Sequence, residues 1–181
     1  LAHYYAPDEV QAIADFVGDS FYLAKVAAQT DAETIVFCGV HFMGESAKIL
    51  NPSRRVLMPD LSADCAMAHM ATEEQIEKLR AEVERAVSDF IGSTAEIIAH
   101  AEKSDAPEMI VCTEPGVLFE LKRRCPDKKF YPVSPQCADM KRNTIEGVRD
   151  CLALGRGEVL MDRADMEAAE RPLRRMLALA K

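Results

Sequence analysis

The sequence has no apolar run near the ~20 residues of a membrane-spanning helix and no surplus of basic residues. Its formal net charge of −8 argues against a general nucleic-acid surface. The first residues lack the basic segment and the long apolar core of a signal peptide. These absences predict a cytoplasmic protein with neither a nucleic-acid partner nor a membrane partner. The start also lacks a methionine, and we expect further residues to precede Leu1.

The chain also lacks the C-x-x-C pairs that commonly hold tetrahedral zinc, although it has six cysteines. Cysteines without secretory features indicate a reducing compartment. We predict that four of them are structural or incidental, namely Cys38 and Cys112 within apolar strands and Cys125 and Cys151 at helix ends. The other two, Cys65 and Cys137, lie in loops that follow short apolar strands and precede helices. Only these two have surroundings suited to metal ligation.

An internal duplication relates the two halves of the chain. Residues 15–20 recur as residues 89–94, and residues 35–38 recur as residues 109–112, both at an offset of 74. A constant offset across helix, strand and turn is typical of repeated units. We predict a parallel α/β fold built of three-layer units, the first at residues 1–82 and the second at residues 83–181 with C-terminal helices.

Loops at the carboxyl ends of the predicted strands define a candidate cleft. Ligands bind beyond the carboxyl ends of the strands in parallel α/β sheets. Four loops leave such ends: residues 38–41, residues 112–115 and the loops that carry Cys65 and Cys137. We expect these loops to face a common site between the two units.

Several readings of Cys65 and Cys137 remain open at this point. A disulfide is disfavoured in a reducing compartment. An iron–sulfur cluster accepts single cysteines from separate loops, but it usually needs three or four thiolates, and two alone do not complete the set. Ordinary loop cysteines would also explain the pattern, although the duplication makes a shared site more attractive.

Two short segments precede helices at equivalent places, Gly-Asp-Ser at 18–20 and Gly-Ser-Thr at 92–94. Free N–H groups and the helix dipole make such helix ends anion sites, and the hydroxyls of Ser20 and Thr94 add donors. Plain N-caps would account for the same residues.

Candidates for proton transfer lie near strand ends. His3 could act as an acid or base and Tyr5 as a donor, and period-2 spacing puts both on one side if the strand continues that far. His41 and His69 compete for the same role, and the sequence does not choose among them. The pair at 113–114, Thr-Glu, follows a buried strand and is either a polar site pair or a hydrogen-bonded turn.

Eight segments in order carry a family resemblance that covers almost the whole chain: LAHYY at 1–5, IADFVGDS at 13–20, FMGESAKILNP at 42–52, CAMAHM at 65–70, DFIGST at 89–94, TEPG at 113–116, KKFYP at 128–132 and CADMK at 137–141. With these segments the chain resembles the quinolinate synthase family, iron–sulfur enzymes of NAD biosynthesis. The resemblance implies three similar α/β domains around a pseudo-threefold axis, each giving one cysteine to a [4Fe–4S] cluster. It also implies condensation of iminoaspartate with dihydroxyacetone phosphate to quinolinate, the iminoaspartate being supplied by an L-aspartate oxidase or dehydrogenase.

The same resemblance assigns roles to particular side chains. Iron without a cysteine ligand would act as a Lewis acid that polarises a substrate oxygen. By resemblance, the cluster ligands would be Cys65 and Cys137, the contacts to the substrate-derived dicarboxylate would be His3, Ser20 and Thr94, and the proton-transfer group would be Tyr5.

One departure from the family is large. The family's middle domain, with its third cysteine, is absent between residues 82 and 83, where the family has roughly a hundred more residues, the size of a small domain. We predict that the 181-residue chain alone would hold a cluster poorly and would not turn over. Two rival hypotheses are a non-catalytic α/β module that binds an anion or metabolite, and a structural domain with Cys65 and Cys137 oxidised to a disulfide.

Overall fold

The computed structural model of the chain describes residues 1–65, 89–133 and 136–179. The predicted unit boundary at 82/83, the helix expected from about residue 73 and the competitor His69 lie outside the described residues. The division into units therefore stays a prediction.

The described residues form short strands alternating with helices, as an α/β chain should. The strands are β1 (Ala2–His3), β2 (Val17–Gly18), β3 (Thr34–Val36), β4 (Arg55–Leu57), β5 (Glu108–Val111) and β6 (Lys129–Pro132). The helices are α1 (Asp8–Ile13), α2 (Ser20–Gln29), α3 (His41–Leu50), α4 (Thr94–Lys103), α5 (Leu118–Arg124), α6 (Ile145–Leu154) and α7 (Arg163–Leu179). Two 3-10 turns occupy Pro115–Val117 and Met140–Arg142.

The strands pair in parallel, which confirms the predicted fold class. β1 pairs with β2, β3 with β4 and β5 with β6. A parallel bridge between Ala2 and Cys38 joins β1 to the end of β3, so the first four strands run in the order β4–β3–β1–β2. Parallel strands need crossover connections, and α2 and α3 supply them here.

The alternating side chains of residues 35–38, along β3 and just after it, show that the sheet is covered on both faces. Ile35 and Phe37 belong to a buried cluster that includes side chains of α2 and α3. Val36 and Cys38 instead pack with residues of α1 and α6. Successive strand residues point to opposite faces, so these two clusters are the two apolar layers of one three-layer unit.

The second half repeats these elements at the predicted offset. α4 and α2 have the same length, and Thr94 follows Ser20 by 74 residues. Asn51 and Cys125, the C-caps of α3 and α5, share nearly the same backbone angles, φ −135° and ψ 64° against φ −127° and ψ 65°. The pseudo-threefold arrangement of the whole family stays a prediction.

Cys112 departs from the prediction that it is a small buried hydrophobe, whereas Cys38 is buried as predicted. β5 and β6 form a two-stranded pair, and on the side of Cys112 the neighbouring Ile110 is 71% exposed. Within the described residues nothing covers this face, which leaves the thiol exposed directly after β5.

The C-terminal part packs back on the first unit. Val159 donates its N–H to Val56 and Gly157 accepts from Met58, so this segment lies antiparallel against β4. α6 contacts α1 and β3, and α7 contacts α3. Among the described helices, none is both long and apolar enough to cross a membrane.

Candidate active site

Tyr5 occupies the junction between the two halves. Its half-buried ring packs against both the buried cluster of the first unit and that of the second. Its hydroxyl lies 3.0 Å from the Thr94 hydroxyl and 2.7 Å from the Thr113 hydroxyl. Tyr5 follows β1, Thr94 begins α4 and Thr113 lies in the predicted loop after β5, so the two halves of the chain meet at these hydroxyls.

His3 adjoins Tyr5 through a turn and not through a continued strand. β1 ends at His3, and the Tyr5 N–H donates to His3 Nδ1 at 3.2 Å. The two rings meet edge to face with centroids 4.5 Å apart. Burial lowers the pKa of His3 to about 4, so the imidazole is neutral at pH 7. With Nδ1 accepting a hydrogen bond, the proton of the neutral ring is assigned to Nε2.

Ser20 and Thr94 begin equivalent helices, but only Thr94 is found in contact with Tyr5. Asp19 caps α2 by accepting the N–H of Tyr22, and Ser93 caps α4 in a capping box with Glu96. The N-caps are therefore Asp19 and Ser93, the residues before Ser20 and Thr94. The hydroxyls of Ser20 and Thr94 are not used for capping. Ser20 is exposed at its helix start.

Glu114 is a buried carboxylate that links three parts of the site. One oxygen, Oε2, accepts the Gly116 N–H at 2.5 Å. The other, Oε1, accepts the Cys137 N–H at 3.1 Å and lies 3.4 Å from Lys141 Nζ. Lys141 Nζ also donates to the Tyr5 carbonyl at 2.7 Å. The pair at 113–114 therefore serves both as a hydrogen-bonded turn and as part of the site.

Cys65 and Cys137 are half-buried free thiols that pack against the same apolar cluster as Tyr5. The segments around them are tied together. Arg142 Nε donates to Asp60 Oδ2 at 2.8 Å, and Arg142 also bonds the Ser62 hydroxyl. Although partial burial opposes it, hydrogen bonds from Ser62 and Arg142 lower the pKa of Asp60.

The loop at 38–41 joins the same assembly. The His41 N–H donates to the Ala63 carbonyl at 2.7 Å, and Asn143 Nδ2 donates to the Gly39 carbonyl at 3.1 Å. The His41 ring itself turns to Glu45 on its own helix, 3.6 Å away, so it is not found in contact with Tyr5. Together with the bonds of Glu114 to Cys137 and of Arg142 to Asp60, these hydrogen bonds link all four predicted loops.

The donors present fit part of an iron–sulfur ligand set. Cysteine side chains are the usual ligands of such clusters, and two free cysteines pack on one apolar cluster at the site. Across residues 1–65, 89–133 and 136–179, no group of three or more His, Cys, Asp and Glu side chains could hold a metal. The two thiols therefore match two ligand positions, and a further ligand would have to come from elsewhere.

Two contributors to the site escaped the sequence analysis. Buried Gln11 donates through Nε2 to the carbonyls of Tyr4, Ala6 and Gly116, which fastens the Tyr5 segment to the turn after Glu114. Its position beside Val10, on the apolar side of α1, was the available signal. Lys141 had a weaker signal, a lysine close behind Cys137.

Comparison with known proteins matches the sequence of this chain to a family. The family profile described as Quinolinate synthetase A protein matches residues 1–87 and 80–178. Quinolinate synthase of Caldicellulosiruptor saccharolyticus is 33% identical over 282 residues, covering 99% of this chain and 93% of that protein. Quinolinate synthase of Desulforudis audaxviator is 45% identical over 131 residues, covering 72% of this chain and 41% of that protein.

The lengths of these matches show that an internal segment of the relatives has no counterpart in this chain, and the profile stretches show where it is. The alignment to the Caldicellulosiruptor saccharolyticus protein spans 282 positions, and this chain has 181 residues, so at least 101 positions (282 less 181) have no counterpart here. The family profile matches in two stretches that meet at residues 80–87, which places the break there. By its profile match and its relatives, this chain belongs to the family of Quinolinate synthetase A proteins.

Proposed function

We propose that this chain is the part of a quinolinate synthase that carries two cluster cysteines and the tyrosine of the active site. The reaction is the condensation of iminoaspartate with dihydroxyacetone phosphate to quinolinate, in cytoplasmic NAD biosynthesis. One observation carries the proposal: Tyr5, with its hydroxyl between Thr94 and Thr113, packs on the same apolar cluster as Cys65 and Cys137. Iminoaspartate would come from an L-aspartate oxidase or dehydrogenase.

His3 would act as a neutral hydrogen-bond donor. Its pKa of about 4 leaves little imidazolium at pH 7, which makes it a poor cationic acid there. Nε2–H would donate to an oxygen of the substrate, while the Tyr5 N–H fixes the ring through Nδ1. A buried neutral donor of this kind stabilises negative charge that develops on the substrate.

Tyr5 would transfer protons, and the starts of α2 and α4 would bind the substrate carboxylates. The hydroxyls of Thr94 and Thr113 hold the Tyr5 hydroxyl in place, and this chain of three hydroxyls can pass a proton along its hydrogen bonds. Ser20 and Thr94 stand at the first turns of α2 and α4, where free N–H groups favour the carboxylates of a dicarboxylate substrate.

Cys65 and Cys137 would hold two of the irons of a [4Fe–4S] cluster, with a third ligand from the roughly hundred-residue segment that this chain lacks. When bound, the cluster supplies a Lewis acid that polarises a substrate oxygen and assists the loss of water. Because the third ligand is missing here, the 181-residue chain alone should hold the cluster poorly.

The test uses an extended protein, defined as this chain with the internal segment of the Caldicellulosiruptor saccharolyticus relative inserted between residues 82 and 83. After anaerobic supply of iron and sulfide, we expect it to form quinolinate from iminoaspartate and dihydroxyacetone phosphate. The matched control is the unextended chain, for which we expect no quinolinate. A folded, cluster-loaded extended protein that makes no quinolinate would overturn the proposal and favour a non-catalytic binding module.

A further inference from the structure

We propose that Glu114, acting together with Lys141, is a positioning residue that fixes the Cys137 loop and the Tyr5 segment in one shared geometry. That this geometry matters for catalysis rests on the proposed function. The coupling itself rests on contacts in this chain.

Glu114 has more partners than a turn requires. The turn at Pro115–Val117 needs one acceptor for the Gly116 N–H, and Oε2 provides it. Oε1 then remains for the Cys137 N–H at 3.1 Å and for Lys141 Nζ at 3.4 Å. The second oxygen thus reaches out of the turn into the loop that carries the cysteine.

Lys141 carries the link onward to Tyr5. Its ammonium lies between the Glu114 carboxylate and the Tyr5 carbonyl, and its side chain is 22% exposed. Tyr5 is held at its hydroxyl by Thr113, the residue before Glu114. Thr113 therefore contacts the hydroxyl of Tyr5 directly, and Glu114 is linked to the Tyr5 carbonyl through Lys141.

The burial of the carboxylate makes this link specific. Glu114 is 8% exposed, and a carboxylate out of water is tolerated when each oxygen has donors and a counter-charge is near. Glutamine in its place would present an NH₂ group to one set of donors and would leave Lys141 without its counter-charge. The loss should therefore appear at the partners of Glu114 and not only in global stability.

The alternative is a purely local role, in which Glu114 only forms the turn. That role predicts that replacing it affects Gly116 and overall stability, with no specific change at Cys137 or Tyr5. Glu120 offers a matched control, because it is also buried, at 2% exposure, and its hydrogen-bond partners among the described residues are Arg123 and Arg124 on its own helix.

The experiment uses the reduced, metal-free 181-residue chain with two nuclear magnetic resonance readouts. Hydrogen exchange of the Cys137 amide reports its bond to Glu114, with the Cys125 amide at the C-cap of α5 as reference. The ring Cζ signal of Tyr5, assigned with Tyr5→Phe, reports the environment of its hydroxyl. We compare Glu114→Gln, Lys141→Met and the control Glu120→Gln.

We expect Glu114→Gln to speed Cys137 exchange about tenfold relative to Cys125, as the loss of one hydrogen bond to a charged group would. Both Glu114→Gln and Lys141→Met should shift the Tyr5 signal, and Glu120→Gln should change neither. Unchanged Cys137 exchange and an unmoved Tyr5 signal would overturn the inference. If Glu114→Gln does not fold, Lys141→Met decides, since it keeps both N–H donors to the carboxylate. An unmoved Tyr5 signal in that variant overturns the link.

These readouts need neither cluster nor substrate. If Glu114 is coupled but the folded, cluster-loaded extended protein makes no quinolinate, the inference stands and the proposed function is refuted. If the extended protein forms quinolinate but Glu114 is not coupled, the proposed function stands and the inference is refuted.

Discussion

Tyr5 is held through three of its atoms at once. Its hydroxyl contacts Thr94 and Thr113, its N–H donates to His3, and its carbonyl accepts from Lys141. The two backbone contacts fix the main chain at Tyr5 and the two hydroxyl contacts fix the rotamer of its ring, so the phenol is preorganised before any substrate binds. Such preorganisation is what a proton-transfer group needs.

Replacing Tyr5 by phenylalanine should remove both hydroxyl contacts and keep the ring packing. We expect the free energy of unfolding to fall by about 1–2 kcal/mol, because two half-buried hydrogen bonds are lost. Urea denaturation measures it. Tyr131→Phe is the control: Tyr131 is 46% exposed, and no hydrogen bond of its hydroxyl is found within the described part of the chain. Equal losses in the two variants would contradict the account.

His3 should make the free energy of unfolding depend on pH in the acid range. Its pKa is about 4 in the folded chain and 6.5 in the unfolded chain, so the unfolded state binds the proton first as pH falls. The contribution is complete above pH 6.5 and is lost on going down to about pH 4, up to about 3 kcal/mol. Urea denaturation across this window should show a smaller fall for His3→Gln. An unchanged slope in His3→Gln would refute the assignment.

At the level of elements, the 3-10 turn at Pro115–Val117 packs against the Tyr5 segment and so joins the two halves of the chain. A Cβ built on Gly116 would come within 2.7 Å of the Tyr5 Cα and 2.8 Å of the Tyr4 carbonyl. Backbone atoms cannot swing aside as side chains can. The close approach of this turn to the Tyr5 segment therefore depends on glycine.

Gly116→Ala should destabilise the chain by about 1–3 kcal/mol, the usual cost of overpacking. Gly18→Ala is the control, because the three atoms nearest to its added Cβ belong to the ring of Tyr22, a side chain that is 43% exposed and can rotate away. Urea denaturation of both variants tests this. A Gly116→Ala chain no less stable than Gly18→Ala would show that the turn adjusts freely.

At the scale of the whole molecule, the duplication accounts for most of what the sequence predicts correctly. A fixed offset relates α2 to α4, and local propensity at these positions agrees with the final fold. The duplication also pairs Cys65 with Cys137, because the two cysteine loops occupy equivalent places in the two units. The strand-end rule then predicts that their loops meet, and the hydrogen bonds of Arg142 to Asp60 and Ser62 join the two segments.

Other features depend on contacts between distant residues that no local pattern encodes. The return of the segment around Val159 to β4 follows positive φ at Gly155 and Gly157, which reverse the chain. The exposure of Cys112 follows from a missing cover on β5 within the described residues, although the strand itself is apolar. The link from Glu114 through Lys141 to Tyr5 spans residues far apart in sequence, so spacing alone could not predict it.

The most direct test of the account is the iron and sulfide content of the extended protein after anaerobic reconstitution and desalting. We predict about four irons and four sulfides per chain for the wild type and for the exposed-thiol control Cys112→Ser. Cys65→Ser and Cys137→Ser should each lose most of that iron while remaining folded. Full iron content in both of these variants, or an equal loss in Cys112→Ser, would contradict the claim that the two duplicated loops bind one cluster.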